Sequence, residues 1–192
     1  QRIAPVLELK PEIASLNTAS RNDGLTDHRT GEVLFEYVFE NPLNMIADFA
    51  KMMKENRVKP ALEVYDPAGI QNILLLHKRK LTFEDPLHFQ FVYGAYCGVC
   101  FSPQMHLTMI GLLPEDATFG VCGIGDSQVP AVLMSMMTGG HVRIGLEDNV
   151  RVPGGALAKG SWEQAKWVCE AAKILDRPIA TPEEAKQILG LV

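Results

Sequence analysis

One pattern constrains the fold of this chain more than any other. A short apolar run of strand formers is followed by a turn and then by a helical hydrophobic period, and the unit recurs five times. The strand candidates are residues 13–18, 61–65, 89–93, 118–122 and 142–146, each bounded by Gly, Pro, Asn or Asp. Asn41 and Pro42 read as the N-cap and first residue of a helix along which Leu43, Ile46, Phe49, Ala50 and Met53 recur at helical spacing. Further helices are expected over 70–76, 103–113 and 129–137. Ser161 to Gln164 reads as a capping box opening a helix to residue 175, and Thr181 to Glu184 as another for a helix ending near Gly190.

Strands alternating with helices of this length make βαβ units with right-handed crossovers, and hence a parallel sheet. Both an open doubly wound sheet and a (β/α)8 TIM barrel satisfy that pattern. No G-x-G-x-x-G dinucleotide fingerprint follows an early strand. Polar residues stand at the C-terminal end of nearly every strand: Asn17, Thr18 and Ser20; Glu63 and Asp66; Tyr93; Gly123 and Asp126; Glu147 and Asp148. A barrel gathers such positions into one mouth, whereas an open sheet uses mainly one switch point. The expected class is therefore α/β, a (β/α)8 TIM barrel. Five strands of eight leave an arc with two raw edges. Residues 1–192 thus read as a single incomplete domain, the C-terminal portion, with about five β/α units present and the first three expected in front of Gln1.

Charge narrows the partners. The net charge is −5, from 18 Lys+Arg against 23 Asp+Glu, and no basic patch suited to nucleic-acid phosphates appears. The longest basic cluster, His77-Lys78-Arg79-Lys80, reads as a solvated helix end. No apolar run reaches the roughly 18 residues of a membrane span, and the chain opens on no secretion-type leader. Four cysteines (Cys97, Cys100, Cys122, Cys169) are too few for a disulfide scaffold, so a reducing, cytoplasmic location is expected.

The densest chemistry lies in Gly139-Gly140-His141-Val142-Arg143-Ile144-Gly145-Leu146-Glu147-Asp148-Asn149. A strand through Val142, Ile144 and Leu146 would present Glu147, Asp148 and Asn149 at its end. Polar groups ending a buried strand are costly to desolvate unless something pairs with them. Adjacent carboxylates repel, so one is expected on a cation while the other stays free for proton transfer. Arg143 stays charged even when buried and needs an anionic partner. A purely structural arrangement, an internal Arg–Glu ion pair that seals the barrel, meets the same demand.

This stretch resembles the signature of the β-keto acid cleavage enzymes. Supporting matches are Lys-Pro-Glu-Ile-Ala-Ser-Leu-Asn-Thr from Lys10 to Thr18, Lys-Pro-Ala-Leu-Glu-Val-Tyr-Asp from Lys59 to Asp66, and Ala-Thr-Pro-Glu-Glu-Ala from Ala180 to Ala185. The resemblance implies a zinc-dependent (β/α)8 barrel that exchanges acyl groups between a β-keto acid and acetyl-CoA, giving acetoacetate and a new acyl-CoA. It implies Glu147 as a zinc ligand, Asp148 as the acid/base group, and Arg143 as the group that orients substrate and stabilises negative charge. Glu63 matches a polar position of the substrate pocket, and Thr18 and Ser20 match positions that hold the substrate carboxylate. Ala19 departs from the glycine often found there, which alters the backbone's approach to substrate. A homotetramer or dimer is also implied, for which the apolar stretch 33–39 suits an interface.

The family's other zinc ligands form a His-x-His pair at the end of an early strand. The histidines here, His28, His77, His88, His106 and His141, contain no such pair. A catalytic zinc needs about three protein ligands, so the pair is expected in the same upstream segment as the missing units. With it supplied, zinc would act as a Lewis acid on the keto group, Arg143 would steady the enolate of a retro-Claisen cleavage, and Asp148 would move the proton.

The remaining motifs have modest readings. Gly123 and Gly125 suit either a CoA pyrophosphate contact or a tight turn before a helix. Cys97-Gly98-Val99-Cys100 lacks a second pair at zinc-ribbon spacing and reads as two buried small apolar residues. Met134 to Met137 read as helix core, residues 35–39 as packing for a loop or subunit contact, and Asp23-Gly24 and Thr30-Gly31 as turns. Two alternatives stand beside the zinc enzyme. One is a non-catalytic barrel fragment or subunit that needs a separate N-terminal segment. The other is a Schiff-base aldolase barrel, for which no strand-end lysine is present.

Overall fold

A computed structural model describes residues 2–27, 29–78 and 83–191; His28, Arg79 and Lys80, named above, lie outside the described residues. In chain order the elements are α1 (Ala4–Leu9), β1 (Ile13–Asn17), β2 (Arg21–Thr26), β3 (Val33–Phe39), α2 (Leu43–Glu55), β4 (Lys59–Val64), α3 (Pro67–Lys78), β5 (His88–Tyr93), α4 (Pro103–Ile110), β6 (Thr118–Gly123), α5 (Gln128–Met137), β7 (His141–Val142), α6 (Ser161–Ile174) and α7 (Pro182–Leu189). Five strands form one sheet in the order β1-β4-β5-β6-β7, and every neighbouring pair is parallel. The order never reverses. A doubly wound sheet must reverse at its switch point, so this sheet is singly wound, as in a barrel wall. It does not close, and β1 and β7 are its edges among the described residues.

Strand alternation sorts the two faces of the sheet. Leu62 and Val64 of β4, Phe89, Phe91 and Tyr93 of β5, and Phe119 and Val121 of β6 lie in one buried cluster with Ile46 and Met53 of α2 and Ile70 and Ile73 of α3. Full burial of each large apolar side chain stabilises the fold by about 1.5–3 kcal/mol, and Phe91 stacks on Phe119 with ring centroids 5.5 Å apart. The other face carries Ser15, Glu63, Gln90, Gly120 and Cys122, small or polar residues none of which joins that cluster. Register brings the strand ends level: Glu63 lies beside Asn17 and Gln90, and Tyr93 beside Gly123.

Several local expectations are corrected. The last strand stops at Val142, because residues 143–149 leave the sheet for a turn, although the Arg143 amide still donates to the Val121 carbonyl at 2.8 Å. Asn41 does not cap α2. Pro42 holds that position, and the Asn41 side-chain Nδ2 donates to the Asn17 carbonyl. Gly160, not Ser161, precedes α6, whereas the Thr181 capping box of α7 forms as expected. Asp23-Gly24 is not a turn but lies inside β2, where a Cβ on Gly24 would stand 2.3 Å from the Phe35 carbonyl of the paired strand. The antiparallel β2–β3 ribbon and α1 were not foreseen. Cys97 and Cys100 are exposed, on a loop that turns back through a Gly98-to-Ala95 hydrogen bond. In the methionine stretch Met136 is buried but Met137 is exposed. Among the described residues no helix is long and apolar enough to cross a membrane.

Candidate active site

The C-terminal ends of β4, β5 and β6 and the turn after β7 surround a cleft of about 240 Å³ lined by Glu63, Arg143, Glu147 and Asp148, with Arg21 and Tyr65 on its wall. Arg143 is its hub. Its Nε and Nη2 donate to the two oxygens of Asp148 at 3.2 and 2.9 Å, and Nη1 donates to Glu63 Oε1 at 3.0 Å. Nη2 also lies 3.0 Å from Glu147 Oε1. Burial works against the Arg143 charge, but Cys122, Asp148 and Glu63 outweigh it and hold its pKa above the usual arginine value. The forked, bidentate grip on Asp148 is geometry that a lysine could not reproduce.

Each carboxylate is held differently. Glu63 and Asp148 are buried, at 6% and 5% exposure, whereas the Glu147 side chain is 84% exposed. Ser15 Oγ donates to Glu63 Oε1 at 2.9 Å and the Tyr65 hydroxyl to Oε2 at 3.2 Å. Asp148 receives its position from the backbone: its amide donates to the Gly145 carbonyl, and its own carbonyl accepts from the Gly125 amide at 2.8 Å. Cys122 lies under this cluster, and burial together with Asp148 pushes its thiol pKa up, so it stays protonated. Behind the turn, buried Gln164 of α6 donates to the carbonyls of Asn149 and Arg151, and Asn149 donates to Gln128 of α5 at 3.3 Å.

The other expected site residues occupy the rim or the scaffold. Thr18 is 1% exposed, and both its amide and its hydroxyl donate to the Glu63 carbonyl, at 3.1 and 2.9 Å. Its hydrogen bonds therefore fix β1 to the end of β4. Ser20 Oγ accepts from the Asn41 amide at 2.7 Å. A Cβ on Gly123 would sit 2.5 Å from the Gln128 backbone, so this glycine permits α5 to start against the sheet, and Gly125 adopts a positive φ of 55°. Ser15, Tyr65, Arg21 and Gln164 escaped the sequence reading. Ser15 and Tyr65 had a usable signal: Tyr65 stands two residues past Glu63, on the same side of an extended chain, and Ser15 is one pleat from Asn17. Nothing local marks Gln164, which acts on carbonyls 13 and 15 residues away.

The donor set can be tested against the zinc ion that the sequence resemblance implies. Among the described residues no group of three His, Cys, Asp or Glu side chains is arranged to hold a metal ion. Glu147 is exposed enough to turn towards one, but Glu63 and Asp148 are committed to Arg143. The residues present do not by themselves fit the ion.

Comparison with known proteins agrees with this architecture. Residues 1–191 match the beta-keto acid cleavage enzyme family. The chain belongs to that family. The chain is 40% identical over 191 residues to a 3-keto-5-aminohexanoate cleavage enzyme of Acetoanaerobium sticklandii, covering 100% of this chain and 66% of that protein. A protein of the same name from Fusobacterium nucleatum is 36% identical, over 100% of this chain and 65% of its own length. A 3-oxoadipate:acetyl-CoA acetyltransferase of Cupriavidus necator is 31% identical, over 97% of this chain and 62% of that protein. The chain thus spans just under two thirds of the length of these relatives.

Proposed function

We propose that the protein containing this chain cleaves a β-keto acid with acetyl-CoA by a retro-Claisen acyl exchange, giving acetoacetate and an acyl-CoA. One observation carries the reading: a single guanidinium at the sheet's mouth faces three carboxylates, two of them buried. Water solvates Glu147, so the two buried carboxylates share one guanidinium. A structural ion pair needs only one carboxylate, and the surplus is costly unless a cation or a transferable proton shares it. The acetyl-CoA in the printed name of the Cupriavidus relative supports the co-substrate.

In this reading Arg143 orients the substrate carboxylate or steadies the enolate oxygen with the N–H of Nη1 that Glu63 does not take. Asp148 transfers the proton, and Glu63 keeps Arg143 in place. Ser20 lines the approach of the substrate carboxylate, buried Thr18 acts from beneath it by holding the Glu63 carbonyl, and Gly123 and Gly125 shape the turn proposed to meet the CoA pyrophosphate. Zinc enters only with further ligands outside these 192 residues, beside Glu147, and no step here runs through it. Strands outside these residues would likewise extend the five-stranded wall to a (β/α)8 barrel, covering the edges of β1 and β7. The apolar β3 stretch Val33–Phe39 is the proposed contact of a homo-oligomer, and four free thiols support a reducing, cytoplasmic setting.

A non-catalytic fragment is not favoured, since the family match spans residues 1–191 and the charge cluster is intact. The test is Asp148→Asn in the full-length protein, assayed for acetoacetate formation from acetyl-CoA. We expect turnover to fall by about 10²–10⁴-fold with the fold unchanged by circular dichroism. Unaltered turnover would reject the role of Asp148.

A further inference from the structure

We infer that Tyr65, clamped by Arg21, is a positioning residue that aims the Glu63 carboxylate at Arg143 and so ties the base of the β2–β3 ribbon to the reaction centre. The inference rests on the acyl-exchange reading above. Glu63 has two oxygens to satisfy in a nearly dry setting, its side chain being 8% exposed. Oε1 accepts from Ser15 and Arg143, whereas Oε2 accepts from the Tyr65 hydroxyl alone among the described residues. Without that hydroxyl a buried carboxylate oxygen is orphaned, and the group is free to rotate away from Nη1.

Tyr65 is itself held in place. The Arg21 guanidinium carbon stands 4.0 Å from the centre of the Tyr65 ring, well inside the range of a cation–π contact. Arg21 cannot drift, because Nη2 donates to Asp23 at 2.8 Å and Nη1 to the Tyr96 carbonyl at 3.3 Å. Asp23 is braced in turn by the Gly24 amide and the Tyr37 hydroxyl on the ribbon. Burial first, and then the Glu63 charge, raise the Tyr65 pKa, so the hydroxyl remains a donor throughout the working range. A contiguous line of contacts therefore runs from β3 through Asp23, Arg21, Tyr65 and Glu63 to Arg143.

Two variants of the full-length protein test the inference, Tyr65→Phe and Arg21→Lys. The first deletes one hydroxyl and keeps the ring. The second keeps the charge but loses the planar stack and the fork. Tyr65→Phe should lower kcat by about tenfold while KM changes less than about twofold, and Arg21→Lys should lower kcat by about threefold in the same direction. A readout independent of turnover is the nitrogen-15 resonance of Arg143 Nη1, the nitrogen that donates to Glu63, identified by its loss in Arg143→Lys. It should move in both variants, and should Tyr65→Phe fail to fold, Arg21→Lys alone decides. An Arg143 resonance that stays in place overturns the inference, whatever happens to kcat. A wild-type protein that cleaves no β-keto acid overturns the function proposed above, and the resonance still decides this inference.

Discussion

At the mouth of the parallel sheet Glu63 and Asp148 are 6% and 5% exposed, whereas on the β2–β3 ribbon Phe35 and Val38 are 55% and 60% exposed. The two regions invert the ordinary distribution of side chains in opposite senses. Charge is buried at the mouth because Glu63 is met by Ser15, Tyr65 and Arg143, and Asp148 by both Nε and Nη2 of Arg143. On the ribbon, Leu34 and Val38 alternate with Val33, Phe35 and Tyr37, so apolar groups stand on both faces and neither face is covered. A two-stranded ribbon is marginal by itself, and the homo-oligomer contact proposed above would cover this exposed apolar surface. The lesson is that burial of charge and exposure of hydrophobic surface are the two features on which the proposed chemistry and the proposed association rest. Arg21 belongs to both, since it opens β2 and stacks on Tyr65.

The comparison can be broken at the mouth first. Arg143→Met leaves Glu63 and Asp148 buried without their cation. Breaking such a pair is expected to cost about 3 kcal/mol at pH 7, the lower end of the usual range because Arg143 is still partly solvated. Urea unfolding at pH 7 checks this, and a neutral effect would show the cluster is not held by charge.

The opposite end of the same strands sharpens the contrast. His88, at the start of β5, bonds through Nδ1 to Thr118 Oγ1 at 2.9 Å. Burial, and then His141 and Lys59, push its pKa down to about 4. The unfolded chain binds this proton near pH 6.5 and the folded one does not. Stability from this site is therefore whole above pH 6.5 and falls as pH drops towards 4, by about 2–3 kcal/mol. His88→Gln should flatten that acid slope in unfolding measurements, and an unchanged slope would assign acid sensitivity elsewhere.

The ribbon offers the smallest effect. Phe35→Asp with Val38→Lys should weaken self-association at least tenfold by sedimentation velocity, about 1.4 kcal/mol, with secondary structure unchanged. Equal association in the variant would free the ribbon from the interface role.

Legibility followed distance along the chain. The five strands of the sheet were readable because a two-residue period is written locally, and α7 because Thr181 and Glu184 form their capping box within one turn. The last strand was overread, since the apolar alternation of Val142, Ile144 and Leu146 continues past the point where Arg143 turns into the cleft. Gly24 read as a turn because glycine is ambiguous until its partner strand is known. The exposed pair Cys97 and Cys100 looked like core because small apolar composition does not say which side of a loop meets water.

The amino-acid order by itself determined the alternation of strand and helix, the collection of polar residues at strand ends, and the signature from Arg143 to Asn149. Only the tertiary structure decided that the sheet winds in one direction, and that Arg143 gathers Glu63 from 80 residues away together with Asp148 from five. It brought Ser15 and Tyr65 onto Glu63 as its other donors. Periodicity is a property of neighbours in sequence, whereas a buried charge is tolerated only by whichever donors the completed packing brings within about 3 Å.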